Sequence, residues 1–181
     1  GAACGGLATL SGGAGTVRNT ISAGNSFISG GSTSGHDAFG VFLSEGYNLI
    51  GRNNGSTGFT HTSDQAGTNA SPLNAGLGSF LNNGGSTDTL VPFSNSPAID
   101  KGRAFGLPSD QRNLPRTFDD PAIAAAGGGD SSDIGAVELA PAYSGPLEIL
   151  SATRFGEAIQ IVMQGNPSDS YGLQKSENLT P

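Results

Sequence analysis

Ten Asp and five Glu stand against eight Lys and Arg in this 181-residue chain, so acid–base chemistry would rest on carboxylates. Asp119 and Asp120 are adjacent, and a carboxyl pair can act as acid and base on a glycosidic bond. Asp120 directly precedes Pro121, however, which is a turn context, and a turn is the expected reading. Asp130 and Asp133 follow Gly127, Gly128 and Gly129, and short Asp side chains suit an oxygen-rich calcium cage. Only one such stretch occurs, where calcium-binding repeats supply several. A structural calcium therefore stays open, and no other cofactor is expected. The fullest charged set is Asp100, Asp110, Arg112, Arg116 and Asp133. It reads either as an active site or as an ion-pair network pinning long loops, and the network is the expected reading. Arg112 or Arg116 should then lie within hydrogen-bond reach of Asp110, Asp100 or Asp133.

Other chemistries have less to stand on. No Gly-x-Ser-x-Gly elbow occurs. His36 and His61 lack the i, i+4 spacing of a helical zinc motif, and the single Cys4 allows neither an internal disulfide nor a cysteine-based zinc site. Gly12-Gly13-Ala14-Gly15 lacks the Lys-Ser/Thr of a phosphate loop and the third glycine of a dinucleotide fingerprint. The formal net charge is −7, with basic residues scattered. That argues against nucleic acid, which needs a basic stripe, and against a polybasic membrane anchor. No apolar run approaches the ~18 residues of a membrane helix. No catalytic, cofactor-binding or metal-binding residue is assigned.

The elements that must carry these residues are short strands. The chain has 30 glycines, roughly twice the usual ~7% share. They punctuate β-prone bursts: Leu7 to Leu10, Thr16 to Ile21, Phe39 to Leu43, Tyr47 to Ile50, Thr87 to Val91 and Ala98 to Ile99. Val17, Asn19 and Ile21 point to one side of a strand, Arg18 and Thr20 to the other. The alanine cluster Ala122 to Ala126 is too short to sustain a helix alone. Asn54-Gly55 and Asn83-Gly84 are hairpin-type turns, yet the early spacing fits stacked coils, in which Gly and Asn suit tight corners. Asn19 and Asn25 are candidates for inward stacking or for plain turns. All-β architecture follows, specifically a solenoid end with irregular capping loops over residues 1–140. Residues 141–146 read as a linker, with Pro141 and Gly145-Pro146. Residues 147–181 read as a small antiparallel β-sandwich-like module. Its strands run from Leu147, from Ala158 to Met163 after a Phe155-Gly156 turn, and from Tyr171 to Lys175 after Asn166-Pro167. The pattern stops in mid-module at Pro181, so the chain reads as a piece of a longer one.

An ordered series of blocks carries a resemblance. Tyr47-Asn48-Leu49-Ile50-Gly51 is followed by Asp64-Gln65, Gly67-Thr68, then Asn82-Asn83-Gly84-Gly85-Ser86-Thr87. Next come Ser96-Pro97-Ala98-Ile99-Asp100-Lys101-Gly102, Asp110-Gln111-Arg112, Pro115-Arg116, and Asp133-Ile134-Gly135-Ala136-Val137-Glu138. The series resembles the C-terminal part of bacterial right-handed parallel β-helix surface proteins of the choice-of-anchor Q domain type, akin to polymorphic outer-membrane repeat proteins. Asn113 departs from that pattern, standing where Gly usually follows Asp-Gln-Arg. Asn tolerates the left-handed conformation such a turn needs. The resemblance implies secretion or a cell-surface location, and no established reaction.

Two function classes follow. The first is a structural, adhesive or glycan-contacting protein with no catalytic site in this chain, its partner a polysaccharide or cell-surface glycan. A stalk or autotransporter-like passenger is a variant of it. The second is the C-terminal part of a carbohydrate-active enzyme, a polysaccharide lyase or glycoside hydrolase, whose catalytic coils lie upstream. Gly35-His36-Asp37 resembles the histidine block of pectin-cleaving β-helices, but the acidic pair follows it here rather than preceding it. No Arg-x-Lys block comes after either.

Overall fold

The period-two pattern of one seven-residue strand organises the first part of the chain. In Ala38–Ser44, Ala38 and Phe42 are buried while Val41 and Leu43 are more than half exposed, the alternation of a strand with one face in a core. A computed structural model describes residues 5–10, 12–29, 32–34, 36–140, 148–155 and 158–164. It divides the chain into two compact units, Gly1–Leu139 and Ala140–Pro181. Among the described residues the protein is all-β, with no helix.

The first unit contains β1 (Leu7–Ala8), β2 (Ala14–Val17), β3 (Ile21–Ser22), β4 (Phe27–Ser29), β5 (Ser32–Ser34), β6 (Ala38–Ser44), β7 (Leu49–Ile50), β8 (Gly55–Thr57) and β9 (Gln65–Ala66). Two sheets are wholly parallel. In one, β6 pairs with β1 and β2 along one edge and with β8 along the other. In the other, β3, β7 and β9 lie side by side in chain order. The registers align Ala14, Val41 and Thr57 in one row and Ile21, Leu49 and Gln65 in a second. β4 and β5 form an antiparallel pair.

Several sequence expectations shift here. Thr16 to Ile21 is not one strand. Asn19 takes φ 45°, and its N–H donates to the Gly46 carbonyl (3.1 Å), so β2 and β3 turn into different sheets. The burst at Tyr47 starts its strand only at Leu49, because Tyr47 also sits in the left-handed region, at φ 59°. Asn54-Gly55 makes no hairpin, since Gly55 opens β8 and pairs parallel with Phe39. Asn83-Gly84 does lie between antiparallel partners, the isolated bridge Leu81↔Thr89. Thr87 to Val91 and Ala98 to Ile99 belong to no strand. Ala98 and Ile99 are instead buried apolar residues of a turn region.

Two apolar clusters form the core. Ala38, Phe42, Ile50 and Phe59 make one, with Phe42 and Phe59 ring centroids 5.0 Å apart. Leu49, Ala75, Ala98 and Ile134 make the other. The second cluster joins a strand residue to three residues from the long irregular stretch that follows β9, so strands and loops share one core.

The second unit contains β10 (Glu148–Phe155) and β11 (Ala158–Gln164), an antiparallel pair with a register shift between Ile149 and Ser151. The expected linker at 141–146 and strand at Tyr171 to Lys175, with the Phe155-Gly156 and Asn166-Pro167 turns, fall wholly or partly outside the described residues.

Candidate functional site

The five charged residues singled out in the sequence lie in one hydrogen-bonded region of the first unit. Asp110 is the best satisfied. Its Oδ1 accepts the N–H groups of Arg112 (2.7 Å) and Leu114 (3.1 Å), and its Oδ2 accepts Arg112 Nε (2.9 Å) and the Glu138 N–H (3.1 Å). Asn113, between them, takes φ 63°. Arg112 completes the link by donating to the Glu138 carbonyl (2.7 Å). Asp133 Oδ1 accepts the Asp100 N–H (2.9 Å) and its Oδ2 the Leu139 N–H (2.6 Å). Asp100 Oδ2 accepts the Asp120 N–H (3.0 Å), while its Oδ1 is buried without a partner. Arg116 donates to the carbonyls of Asp133 and Gly135.

Glu138 is the member that the sequence did not reveal as a participant. Its Oε1 accepts the Phe118 N–H (2.7 Å) and its Oε2 the Asp133 N–H (3.0 Å), with Arg116 Nε 3.9 Å from Oε2. Its position in the run Ala136-Val137-Glu138-Leu139 was the available signal, because an acid between apolar residues is either exposed or paired. Here it is buried, as are Asp100 and Asp133.

Burial sets the protonation of this group. It pushes Asp133 up to about 7, against the N–H bonds from Leu139 and Asp100, and the charges of Glu138 and Asp100 act in the same direction as burial. Burial also raises Glu138, opposed by its N–H donors and by Arg116. Asp100 is raised by burial, opposed by the Asp120 N–H bond and helped by Asp119 and Asp120. Asp130 goes the other way. Burial would raise it, but hydrogen bonds from Ser132 and Ala104 outweigh that and leave it below its usual value. Every oxygen of Asp110, Asp133 and Glu138 is taken up by N–H groups, so these carboxyls tie backbone segments together.

A second polar group runs through the strand stack. Asn48 is fully buried. Its Oδ1 accepts the Thr20 N–H (3.2 Å), and its Nδ2 donates to the Val17 carbonyl (3.2 Å), Ser44 Oγ (2.9 Å) and Asp64 Oδ1 (3.0 Å). It therefore stitches three successive passes of the chain, a role the sequence reading had offered to Asn19 and Asn25. Asn25 instead donates to Asp37 Oδ1 from its N–H (2.7 Å) and Nδ2 (3.0 Å). Asp37 of the Gly35-His36-Asp37 run is thus a buried structural acceptor.

The remaining candidates are turn residues. Asp120 Oδ1 accepts the Ala122 N–H (2.9 Å) and Asp119 is exposed. Asp130 Oδ1 accepts the Ser132 N–H (3.2 Å), and both its oxygens face the Ala104 N–H. Among the described residues, no group of three or more His, Cys, Asp or Glu is placed to hold a metal ion. No helix is long and apolar enough to cross a membrane, again among the described residues. His61 Nδ1 lies 2.8 Å from Ser63 Oγ, but that hydroxyl accepts the Tyr47 N–H (2.8 Å) and braces a turn.

One open groove of about 580 Å³ is lined by both strand and loop residues. Arg18 and Arg103 border it, and both guanidinium groups lie over the Phe105 ring, 4.8 and 5.4 Å from its centroid. Tyr47 meets the same ring edge-on at 5.9 Å. Phe80, Leu90 and Leu107 line the groove and are exposed. Asp88 is its single lining carboxylate. No protein-family model, curated protein or solved structure matches the chain.

Proposed function

We propose that the first unit is the closing end of a right-handed parallel β-helix, borne by a bacterial protein that is secreted or held at the cell surface. Its role is structural, adhesive or glycan-contacting. The observation that carries the reading is the register. Ala14, Val41 and Thr57 align in one parallel sheet, and Ile21, Leu49 and Gln65 in another, each strand added in chain order. A solenoid is built by that kind of addition, and its last strand must be covered because an open edge invites pairing with other chains. Loops after β9 reach this end of the stack: Gln65 Nε2 on β9 donates to the Pro97 carbonyl (2.8 Å), and the Leu73 N–H donates to the Gly51 carbonyl just past β7 (2.9 Å). The charged network from Asp100 to Glu138 is then the fastening of the cap.

A non-catalytic role fits the carboxylates. Glycoside hydrolysis uses two across the scissile bond, whereas the groove is lined by Asp88 alone. The test is a panel of soluble and insoluble polysaccharides incubated with the folded chain. Retention on a polysaccharide with no new reducing ends and no unsaturated product is the expected result. Released product would overturn the reading in favour of an enzyme, and failure to be retained by any would overturn the glycan-contacting part of it.

A further inference from the structure

We infer that the groove beside Phe105 binds a carboxylate-bearing glycan, with Arg103 as the residue that engages the acid. The inference rests on the glycan-contacting reading above and names the class of sugar. Its first support is charge. Among the described residues, Arg18, Arg112 and Arg116 are paired with Glu45, Asp110 and Glu138, while the Arg103 guanidinium has no carboxylate partner and stacks on Phe105. Arg18 shares that ring and is itself about half exposed. Two guanidinium groups thus converge on one ring in a chain of net charge −7. Asp88, the lining carboxylate, offsets part of this charge. A planar guanidinium fork matches a carboxylate in bidentate fashion, and stacking on an aromatic face pre-orients it.

The second support is shape and surface. The groove's volume falls within the ~300–1,000 Å³ of ligand pockets. Phe80 is 67% exposed and Leu107 59%, so apolar faces stand open to the C–H side of a sugar ring. Thr20 and Gln111 line the same groove and suit its hydroxyls. Large apolar residues exposed around a concavity mark binding surfaces.

The third support is backbone conformation. Phe105 itself sits at φ 53°, an uncommon setting for a bulky residue. The turn that imposes it, closed by the Leu107 N–H on the Ala104 carbonyl (3.1 Å), presents the ring to both arginines. Such costs concentrate at sites where geometry is used.

The test titrates the full chain with uronate oligosaccharides of two kinds, from alginate and from polygalacturonate, and with a neutral cello-oligosaccharide of matched length. At least one uronate should bind, weakening with salt. Arg103→Ala should weaken it at least tenfold, Arg103→Lys by less, and Phe80→Ala should weaken it with the thermal midpoint unchanged. Equal binding of the neutral oligomer, or Arg103→Ala binding as well as wild type, overturns the acidic-glycan inference and leaves the broader glycan reading standing. No binding of either uronate also overturns it, and retention on the polysaccharide panel then decides the broader reading separately.

Discussion

Asn19 and Asp133 lie 114 positions apart in sequence and are joined by a hydrogen bond of 3.1 Å from Asn19 Nδ2 to the Asp133 carbonyl. The Gly135 N–H returns to the Asn19 carbonyl (3.1 Å), and Asn19 Oδ1 accepts the Arg103 N–H (3.0 Å). One residue at the corner between β2 and β3 therefore holds two segments of the loop region. The left-handed turn at Asn19 makes this possible: its N–H stays on the Gly46 carbonyl of the neighbouring pass, while its carbonyl and side chain face the loop region.

Gly102 is where that docking is tightest. A Cβ there would overlap the Asp133 carbonyl and Asn19 Oδ1. Gly102→Ala should destabilise the first unit by about 2 kcal/mol or more, since overpacking against backbone cannot be relieved by a rotamer change. Urea unfolding checks it. Gly106→Ala is the control: its added Cβ meets no atom within 4 Å, so its cost is confined to its own left-handed φ of 84°.

Glu138→Ala removes the acceptor of two backbone N–H groups and leaves Arg116 buried beside the gap. Breaking a buried charge pair from one side costs on the order of 3–5 kcal/mol, and that is the expected loss in denaturation. Glu138→Gln should cost less, because its amide oxygen still accepts one of the two N–H groups. Equal losses for the two variants would contradict the network as described.

The buried acids also predict a pH dependence. Asp133 sits near 7 when folded, above its ordinary 3.8, so the folded chain keeps a proton that the unfolded chain releases. Its stabilising share is full below about pH 4 and is lost as pH rises through about 7. Glu138 and Asp100 are shifted in the same direction. Asp130 is shifted downward, so its share is present above its ordinary range and is lost on acidification. Urea midpoints should therefore fall from about pH 5 to pH 8, and Asp133→Asn should flatten that slope. A slope unchanged in the variant would remove Asp133 from the account.

Asn48→Ala should cost on the order of 2 kcal/mol, because the half-buried Thr20 N–H loses its acceptor and the fully buried amide's bonds to Ser44 and Asp64 are lost, while the Val17 carbonyl keeps the Glu45 N–H. Asn54→Ala, at an exposed site, should cost under about 1 kcal/mol. Thermal unfolding of both variants checks the contrast.

That contrast also marks what the sequence made legible. Strand-prone bursts and glycine spacing were enough to predict short strands and no helix. Asp110 and Arg112, two positions apart around a turn, could be paired on sight. Asn48 could not be ranked above Asn19 or Asn25, because a polar residue before Leu49-Ile50 reads equally well as a turn or as a buried ladder member. Glu138 stayed hidden for a similar reason: its partners, Phe118 and Asp133, are chosen by tertiary packing. Asn19 read as a strand residue because periodicity carries no information about a left-handed φ.

Native-state hydrogen exchange tests the central claim, that the loop region is fastened to the parallel stack as one cooperative unit. The Ile134 and Gly135 amides donate to Ala98 and Asn19, and those of Leu49 and Gly51 to Thr20 and Ser22. All four should open with the same free energy, within about 1 kcal/mol, and lose protection together in Glu138→Ala. Rapid exchange at Ile134 and Gly135 while Leu49 and Gly51 stay protected would contradict it.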